Sequence, residues 1–349
     1  MSDIHDRTSL VGASYEALRS TAAVFVLARD VLAVKGPDAT SYLQGQCSQD
    51  VEGMTVGATA DALLLSPQGK VEAFIRVTRT GVEEFVLDTD AGYGDVVDAR
   101  LKRFRLRVKV DIEPLPWSCV AVRGPQSTQS VVGRPELTLP VAWPRLAGVD
   151  LLGPPPPEGA LSLVTDQTVR CDAGAWEAAR IEAGVPVNGR EILDGTIPAE
   201  VGLVDRTVSF TKGCFTGQEL VARLDSRGSN VARRLCGVMF ASGTGTATDA
   251  GLGGGAGADE RNQRDGRDEG ARTTAAGLTG ASVFTADGEH EVGHLTSVAW
   301  SPGSGGIVAL ATLHRRVTPP EPVSVHWSEG GVEHQAVAEA RPLPMILET

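Results

Sequence analysis

Apolar runs of strand length, broken by Gly, Pro and Asp, fill the first third of the chain. SYEALRS predicts a short opening helix, and AAVFVLA and VLAVKG follow as strands joined at Arg29-Asp30. In GPDATSYLQGQCSQDV, Pro37 suits a first helical turn and Gly45 a helix end. ALLLSPQGKVEAFIRVTR reads as two strands around a Pro-Gln-Gly turn, and EEFVLDTD as another strand. In GYGDVVDARLKRF, Val97, Leu101 and Phe104 fall on one face of a helix. Leu106, Val108, Val110 and Ile112 then alternate with charges, which predicts a half-buried strand over RLRVKVDIEP. Strands and helices mix without a βαβ rhythm, so the pattern predicts an α+β protein with largely antiparallel sheets.

GPPPPEG at 153–159 reads as a stiff connector, and LSLVT after it as a strand. DAGAWEAARIEAG predicts a helix capped by Asp172, ended by Gly184 and stopped by Pro186. The Gly-, Ala- and charge-rich stretch 242–280 holds too few large apolar residues to offset its ordering entropy and is expected to be disordered. With LCGVMFAS before it and ASVFTADG and GIVALATLHRRV after, it reads as an overgrown hairpin loop in a C-terminal β domain. The expected divisions are 1–152, 153–232 and 233–349.

Composition narrows the function classes. The chain has 349 residues, 42% of them hydrophobic and 22% charged, with a net charge of -12. That charge argues against a general nucleic-acid or anionic-membrane binder. There is no apolar run of membrane-span length and no basic, then apolar, leader in MSDIHDRTSLVG, so a cytoplasmic location is expected. Five scattered cysteines, Cys47, Cys119, Cys171, Cys214 and Cys236, show no CxxC spacing. They read as free thiols in a reducing compartment, and no metal site is expected.

Two short motifs lose force in context. HEVGH at 290–294 follows an Asp-Gly turn and contains Gly293, which is strand context, whereas a zinc-binding HExxH needs a helix to bring its histidines together. GLGGGA at 251–256 lacks the strand that precedes a dinucleotide loop. Arg105, Arg107 and Lys109 read as a solvated strand face, with an anion contact as the alternative.

KGCFTGQELVARLDSRG at 212–228 is richer. Thr216 and Glu219 have capping-box spacing, which predicts a helix running toward Arg227 with a Glu219–Arg223 pair along it. Cys214 then stands just before a helix N-terminus and beside Lys212, two influences that favour thiolate, although a tight turn with an incidental cysteine fits equally. Farther back, Glu182 shares a helix face with Ala175, Ala178 and Ala179, leaving room for a flat ring whose paired N–H groups a carboxylate can accept. Trp176 on that helix suits an aromatic ligand, though a solvent-facing Glu and a core Trp are the plainer reading.

KGCFTGQELVARLDSRG closely resembles the signature of the YgfZ-type folate-binding proteins, relatives of the glycine-cleavage T-protein, an aminomethyltransferase. GPDATSYLQGQCSQDV, LLSPQGKVEAF, RIEAGVPVNGREILDGTIPAEVGLVDRTVSFTKGCFTGQE and GHLTSVAWSP follow in that family's order. The resemblance implies a cloverleaf of antiparallel-sheet subdomains around a central folate hole, with a C-terminal β-barrel. It implies tetrahydrofolate or a one-carbon derivative as cofactor, Glu182 on the pterin, and Trp176, Gln218, Glu219, Arg223 and Arg227 as further cofactor contacts. Cys214, with Lys212, becomes the functional thiol of a monomeric factor that assists iron–sulfur client or assembly proteins. A one-carbon transferase is the alternative reading. The transferase branch carries an acidic pair where this chain has Ala73 and Phe74, with Glu72 one or two places early. A one-residue shift on a strand turns a side chain to the other face, so glycine cleavage is not expected.

Overall fold

The computed structural model describes residues 2–141, 143–226, 230–240, 275 and 277–345. After α1 (Ser2–Ser20) the chain forms β1 (Ala23–Leu27), β2 (Arg29–Lys35), α2 (Ala39–Gln46), β3 (Thr59–Leu65), β4 (Val71–Gly81), β5 (Glu84–Asp90), α3 (Gly94–Phe104) and β6 (Asp111–Leu115). It continues through β7 (Ser118–Arg123), β8 (Leu137–Pro140), β9 (Gly148–Gly153), β10 (Val169–Arg170), α4 (Ala173–Ala183), α5 (Val204–Thr207) and α6 (Gln218–Asp225). The last part is all strand: β11 (Arg233–Phe240), β12 (Ser282–Thr285), β13 (Glu291–Ser301), β14 (Gly306–His314), β15 (Glu321–Glu329) and β16 (Val332–Arg341).

These strands make two five-stranded sheets, ordered β3-β4-β5-β2-β6 and β10-β1-β7-β9-β8, and a closed barrel, β11-β14-β13-β12-β15-β16. β1 and β2 are neighbours in sequence yet belong to different sheets, so the two sheets lie against each other from the start of the chain. The period-2 alternation of the first sheet sorts its faces. Ala62, Leu64, Ala73, Ile75, Val77 and Leu87 pack under α2 and α3 with Leu43, Val97 and Leu101. The other face presents Asp61, Phe74, Arg76 and Asp88, and Arg76 reaches Asp150 of the second sheet. Val31 and Val86 pack there against Cys119, Leu139 and Leu152. α4 wedges between the second sheet and the barrel, where Trp176, Ala178 and Ile181 meet Ala121, Ala299 and Leu310.

Several expected elements form as read. Asp172 caps α4, accepting from the Gly174 N–H at 2.7 Å, and Gly184 ends it with a left-handed φ of 70°. The Pro-Gln-Gly turn joins β3 to β4, and HEVGH leads into strand β13. Others differ. RLRVK is not a strand: β6 begins only at Asp111, Arg107 adopts φ 60°, and the Lys109 N–H donates to the Asp38 carboxylate at 2.7 Å. The loop before α2 thus takes the backbone groups that a sheet would have used. LSLVT contributes a 3-10 turn at Ala160–Leu163 rather than a strand, and Gly45 lies inside α2 rather than ending it. β11 and β12 are not hairpin partners either: β11 pairs with β14 and β16, and β12 with β13 and β15. The long insertion therefore connects strands that barrel closure keeps apart. The bulk of 242–280, with GLGGGA, lies outside the described residues, as does Arg227.

Candidate functional site

Where the polar faces of the two sheets meet α4 there is a cavity of about 310 Å³. Its wall includes Asp61 of β3, Phe74 and Arg76 of β4, Asp90 of β5, Arg123 of β7, Asp150 of β9, Trp176 and Arg180 of α4, and Arg29, Trp143 and Arg206. Five guanidinium groups and three carboxylates are drawn there from eight separate segments. Behind them Asp88 is fully buried and ties two arginines together: Arg29 donates to Oδ1 at 2.8 Å and Arg76 to Oδ2 at 2.8 Å. Arg76 also donates to Asp150 at 2.7 Å, and Arg123 to the other Asp150 oxygen at 2.8 Å. Burial alone would raise the Asp150 carboxyl, but Arg123 and then Arg76 outweigh it and hold it down to about 2. The result is a fixed ion-pair chain, Asp90–Arg29–Asp88–Arg76–Asp150–Arg123, spanning both sheets.

The aromatic side of the cavity is equally fixed. The Arg123 guanidinium lies 4.8 Å from the Trp143 ring centroid and 5.0 Å from that of Trp176. Trp176 in turn stacks on Phe25 at 4.8 Å, with 14° between the planes. At the other wall, the Arg206 guanidinium sits 5.5 Å from the Phe74 ring and pairs with Asp61.

Of the residues singled out in the sequence, Trp176 lines this cavity and Glu182 does not. Glu182 is buried at the junction of α1, α4 and β13, with one carboxylate oxygen accepting from Tyr15 at 2.7 Å and from Arg19, and the other from Ser301. Burial, reinforced by the Glu182 charge, pushes the Tyr15 hydroxyl up to about 12, so it remains a donor. The same motif nonetheless delivers a cavity residue, Arg180, two places earlier. Its guanidinium is held by Glu177, Glu191, Ser297 and the Val185 carbonyl.

The KGCFTGQE segment forms a separate surface loop. Lys212 Nζ donates to the carbonyls of Gln44, Cys47 and Gln49 at 2.6, 2.7 and 2.8 Å, closing the C-terminal end of α2. Its three donors are thereby used by backbone rather than by Cys214, and burial lowers its pKa. Cys214 is exposed and lies outside the cavity wall. The Thr216–Glu219 capping box does not form. α6 starts after Gly217, whose φ of 81° and contact with the Pro-Gln-Gly turn set the N-cap instead. A Cβ at Gly217 would come within 2.4 Å of the Ser66 carbonyl, and one at Gly69 within 2.7 Å of Leu220. The two turns therefore interlock through glycines. Gln218 accepts from the Phe215 N–H at 3.1 Å, and Glu219 and Arg223 are exposed with no ion pair between them. None of these three lines the cavity. Glu72, the acid nearest the transferase positions, is held by Arg100 and Arg103 away from the cavity wall.

Reading the sequence missed Arg29, Arg76, Arg123, Arg180, Arg206, Asp61, Asp90 and Asp150. A signal for two of them was available. Arg76 in EAFIRVT and Asp150 in GVDLLG are charges inside apolar strand runs, and such charges are buried only when paired.

Residues 5–133 match the GCVT N-terminal domain. Over 218 residues the chain is 28% identical to the tRNA-modifying protein YgfZ of Edwardsiella ictaluri, covering 56% of this chain and 65% of that one. An uncharacterized protein of Haemophilus influenzae is 29% identical over 210 residues, covering 57% and 67% respectively. The aligned region thus spans about two thirds of these relatives' length. The glycine cleavage system aminomethyltransferase T of Bartonella henselae superposes with a TM-score of 0.72 at 19% identity, over 96% of this chain and 89% of its own. The chain is similar to YgfZ-type, GcvT-like proteins. The superposition establishes the T-protein-like fold, two facing α+β sheets with a C-terminal barrel. No helix among the described residues is long and apolar enough to cross a membrane.

Proposed function

We propose that the cavity binds a reduced folate, tetrahydrofolate or a one-carbon derivative, and that the protein is a folate-binding factor supporting iron–sulfur client enzymes. The observation that carries this reading is the cavity wall, which combines aromatic faces, guanidinium donors and carboxylate acceptors in a volume of about 310 Å³, near the lower end for ligand sites, ~300–1,000 Å³. A pterin is flat, has an N–H-bearing edge and is linked to an anionic glutamate tail. Trp143, Trp176 and Phe74 suit the ring, and a carboxylate suits its donor edge. Guanidinium nitrogens not engaged by the protein suit the tail: no described residue accepts from Arg123 Nη2 or Arg206 Nη1. The residues fit the group.

Cys214 supports the second half of the proposal by contrast with the other cysteines. Burial pushes the Cys47 and Cys236 thiols to about 11 and Cys171 to about 12, and raises Cys119 as well. The exposed Cys214 is the thiol a client protein can reach. The name of the relatives, tRNA-modifying protein, fits a route through a client enzyme better than direct tRNA binding, because a net charge of -12 opposes phosphate contact. Folate-dependent group transfer is the second reading. The replacement of the acidic pair by Ala73 and Phe74, and the sequestering of Glu72 by Arg100, weigh against it.

Anaerobic calorimetry with tetrahydrofolate tests the first half. Saturable binding that Trp176→Ala weakens at least tenfold is expected, and no binding by the wild type refutes it. A deletion strain tests the second: Cys214→Ser is expected to bind folate normally yet fail to restore iron–sulfur enzyme activity. Full restoration by Cys214→Ser would remove the thiol from the function.

A further inference from the structure

The three carboxylates of the cavity are used by the protein to different degrees. Asp90 accepts from Arg29 on Oδ1 at 2.8 Å, and from the Asn188 backbone N–H and side-chain amide on Oδ2 at 2.8 and 2.9 Å. Asp150 accepts an arginine on each oxygen. Asp61 is different. Arg206 places both Nε and Nη2 on a single oxygen, Oδ2, and no described residue donates to Oδ1. The side chain keeps 17% of its surface accessible, at the cavity wall.

The sheet register makes Asp61 part of a platform. It lies directly opposite Arg76 on β4, and Phe74, two residues from Arg76 on the same face, lies opposite Leu63. Arg206 reaches over the Phe74 ring to grip Asp61, so one guanidinium fixes the carboxylate rotamer beside an aromatic face. A carboxylate held in place with one bare oxygen accepts a ligand N–H without first losing side-chain entropy or a protein partner. We infer that Asp61 recognises the hydrogen-bond-donating edge of the ligand, the role that the family resemblance implies for Glu182. Glu182 is unsuited to it, because Tyr15, Arg19 and Ser301 already occupy its oxygens away from the cavity. The inference rests on the folate reading of the cavity, and the donor edge concerned is the 2-amino-pyrimidinone edge of the pterin.

The test is calorimetric binding of tetrahydrofolate and its 2-desamino-2-methyl analogue to wild type, Asp61→Asn and Glu182→Gln, each variant first checked for a native thermal transition. Wild type is expected to prefer tetrahydrofolate by about ten- to a hundredfold, as for one hydrogen bond to a charged acceptor. In Asp61→Asn that preference shrinks to within about threefold, while in folded Glu182→Gln it persists. Asp61→Ser replaces Asp61→Asn if the amide variant does not fold. Wild type that binds both ligands equally, or a preference that survives loss of the Asp61 carboxylate, overturns the inference and leaves the folate reading standing. Wild type that binds neither ligand overturns both.

Discussion

Residues 212–219 follow one another in the chain, and their glycines, Lys212 and Gln218 hold together a loop already visible as a motif. The cavity instead takes its five arginines from positions 29, 76, 123, 180 and 206, none of them near another in sequence. In the loop, Gln218 closes the turn on Phe215, Lys212 fastens it to the end of α2 and Gly217 to the turn between β3 and β4, while the exposed Cys214 contributes nothing visible to the architecture. In the cavity each charge is held by a charged partner, for Arg29, Arg76, Arg123 and Arg206 one from another segment of the chain, so binding groups and structural groups are the same residues. Function can therefore be removed from the loop without unfolding the protein, whereas in most of the cavity it cannot.

The sharpest way to break this contrast is Arg76→Met. It strips a buried cation from between Asp88 and Asp150 and is expected to lower stability by about 3–5 kcal/mol in urea unfolding. A loss below about 1 kcal/mol would show that the ion-pair chain is not structural. Gly217→Ala probes the interlocked turns. The left-handed φ and the approach to the Ser66 carbonyl predict a loss of about 2–3 kcal/mol, read as a lowered Tm.

Acid sharpens the comparison next. The Asp150 carboxyl is held below its unfolded value, so its contribution is fully present above about pH 4 and disappears as pH falls toward 2. Asp150→Asn should flatten the pH dependence of stability in that window by about 2 kcal/mol, and an unchanged acid limb would contradict the ion-pair assignment. The smallest expected effect is that of Cys214→Ser, within about 0.5 kcal/mol of wild type. Correspondingly, brief alkylation of the native protein followed by mass spectrometry should label Cys214 and spare Cys47, Cys119, Cys171 and Cys236, which are buried. Labelling of a buried cysteine at a similar rate would contradict its shelter in the folded protein.

Local signals in the sequence were read correctly where local chemistry decides. The Asp172 cap and Gly184 stop of α4, the Pro-Gln-Gly turn, and the strand at HEVGH each depend on a few adjacent residues. The errors share a cause. RLRVK had a strand's alternation but Lys109 gives both its backbone groups to Asp38, and Thr216 had a cap's spacing but yielded to the packing of Gly217 on the turn before β4. Glu182 had the residue type for a ligand, yet Tyr15 and Ser301, more than a hundred residues away on either side, had occupied it.

The sequence by itself determined the α+β class, the all-strand C-terminal part and the conspicuous cysteine, because these follow from periodicity, turn residues and a contiguous motif, while the family resemblance added the barrel. Tertiary structure alone decided which charges meet. A salt bridge between β4 and β9 depends on how two sheets cross, and nothing in either strand's own residues encodes its partner. For that reason Asp61, at the cavity wall with one oxygen held by Arg206 and no described residue donating to the other, became visible only once the sheets had been brought face to face.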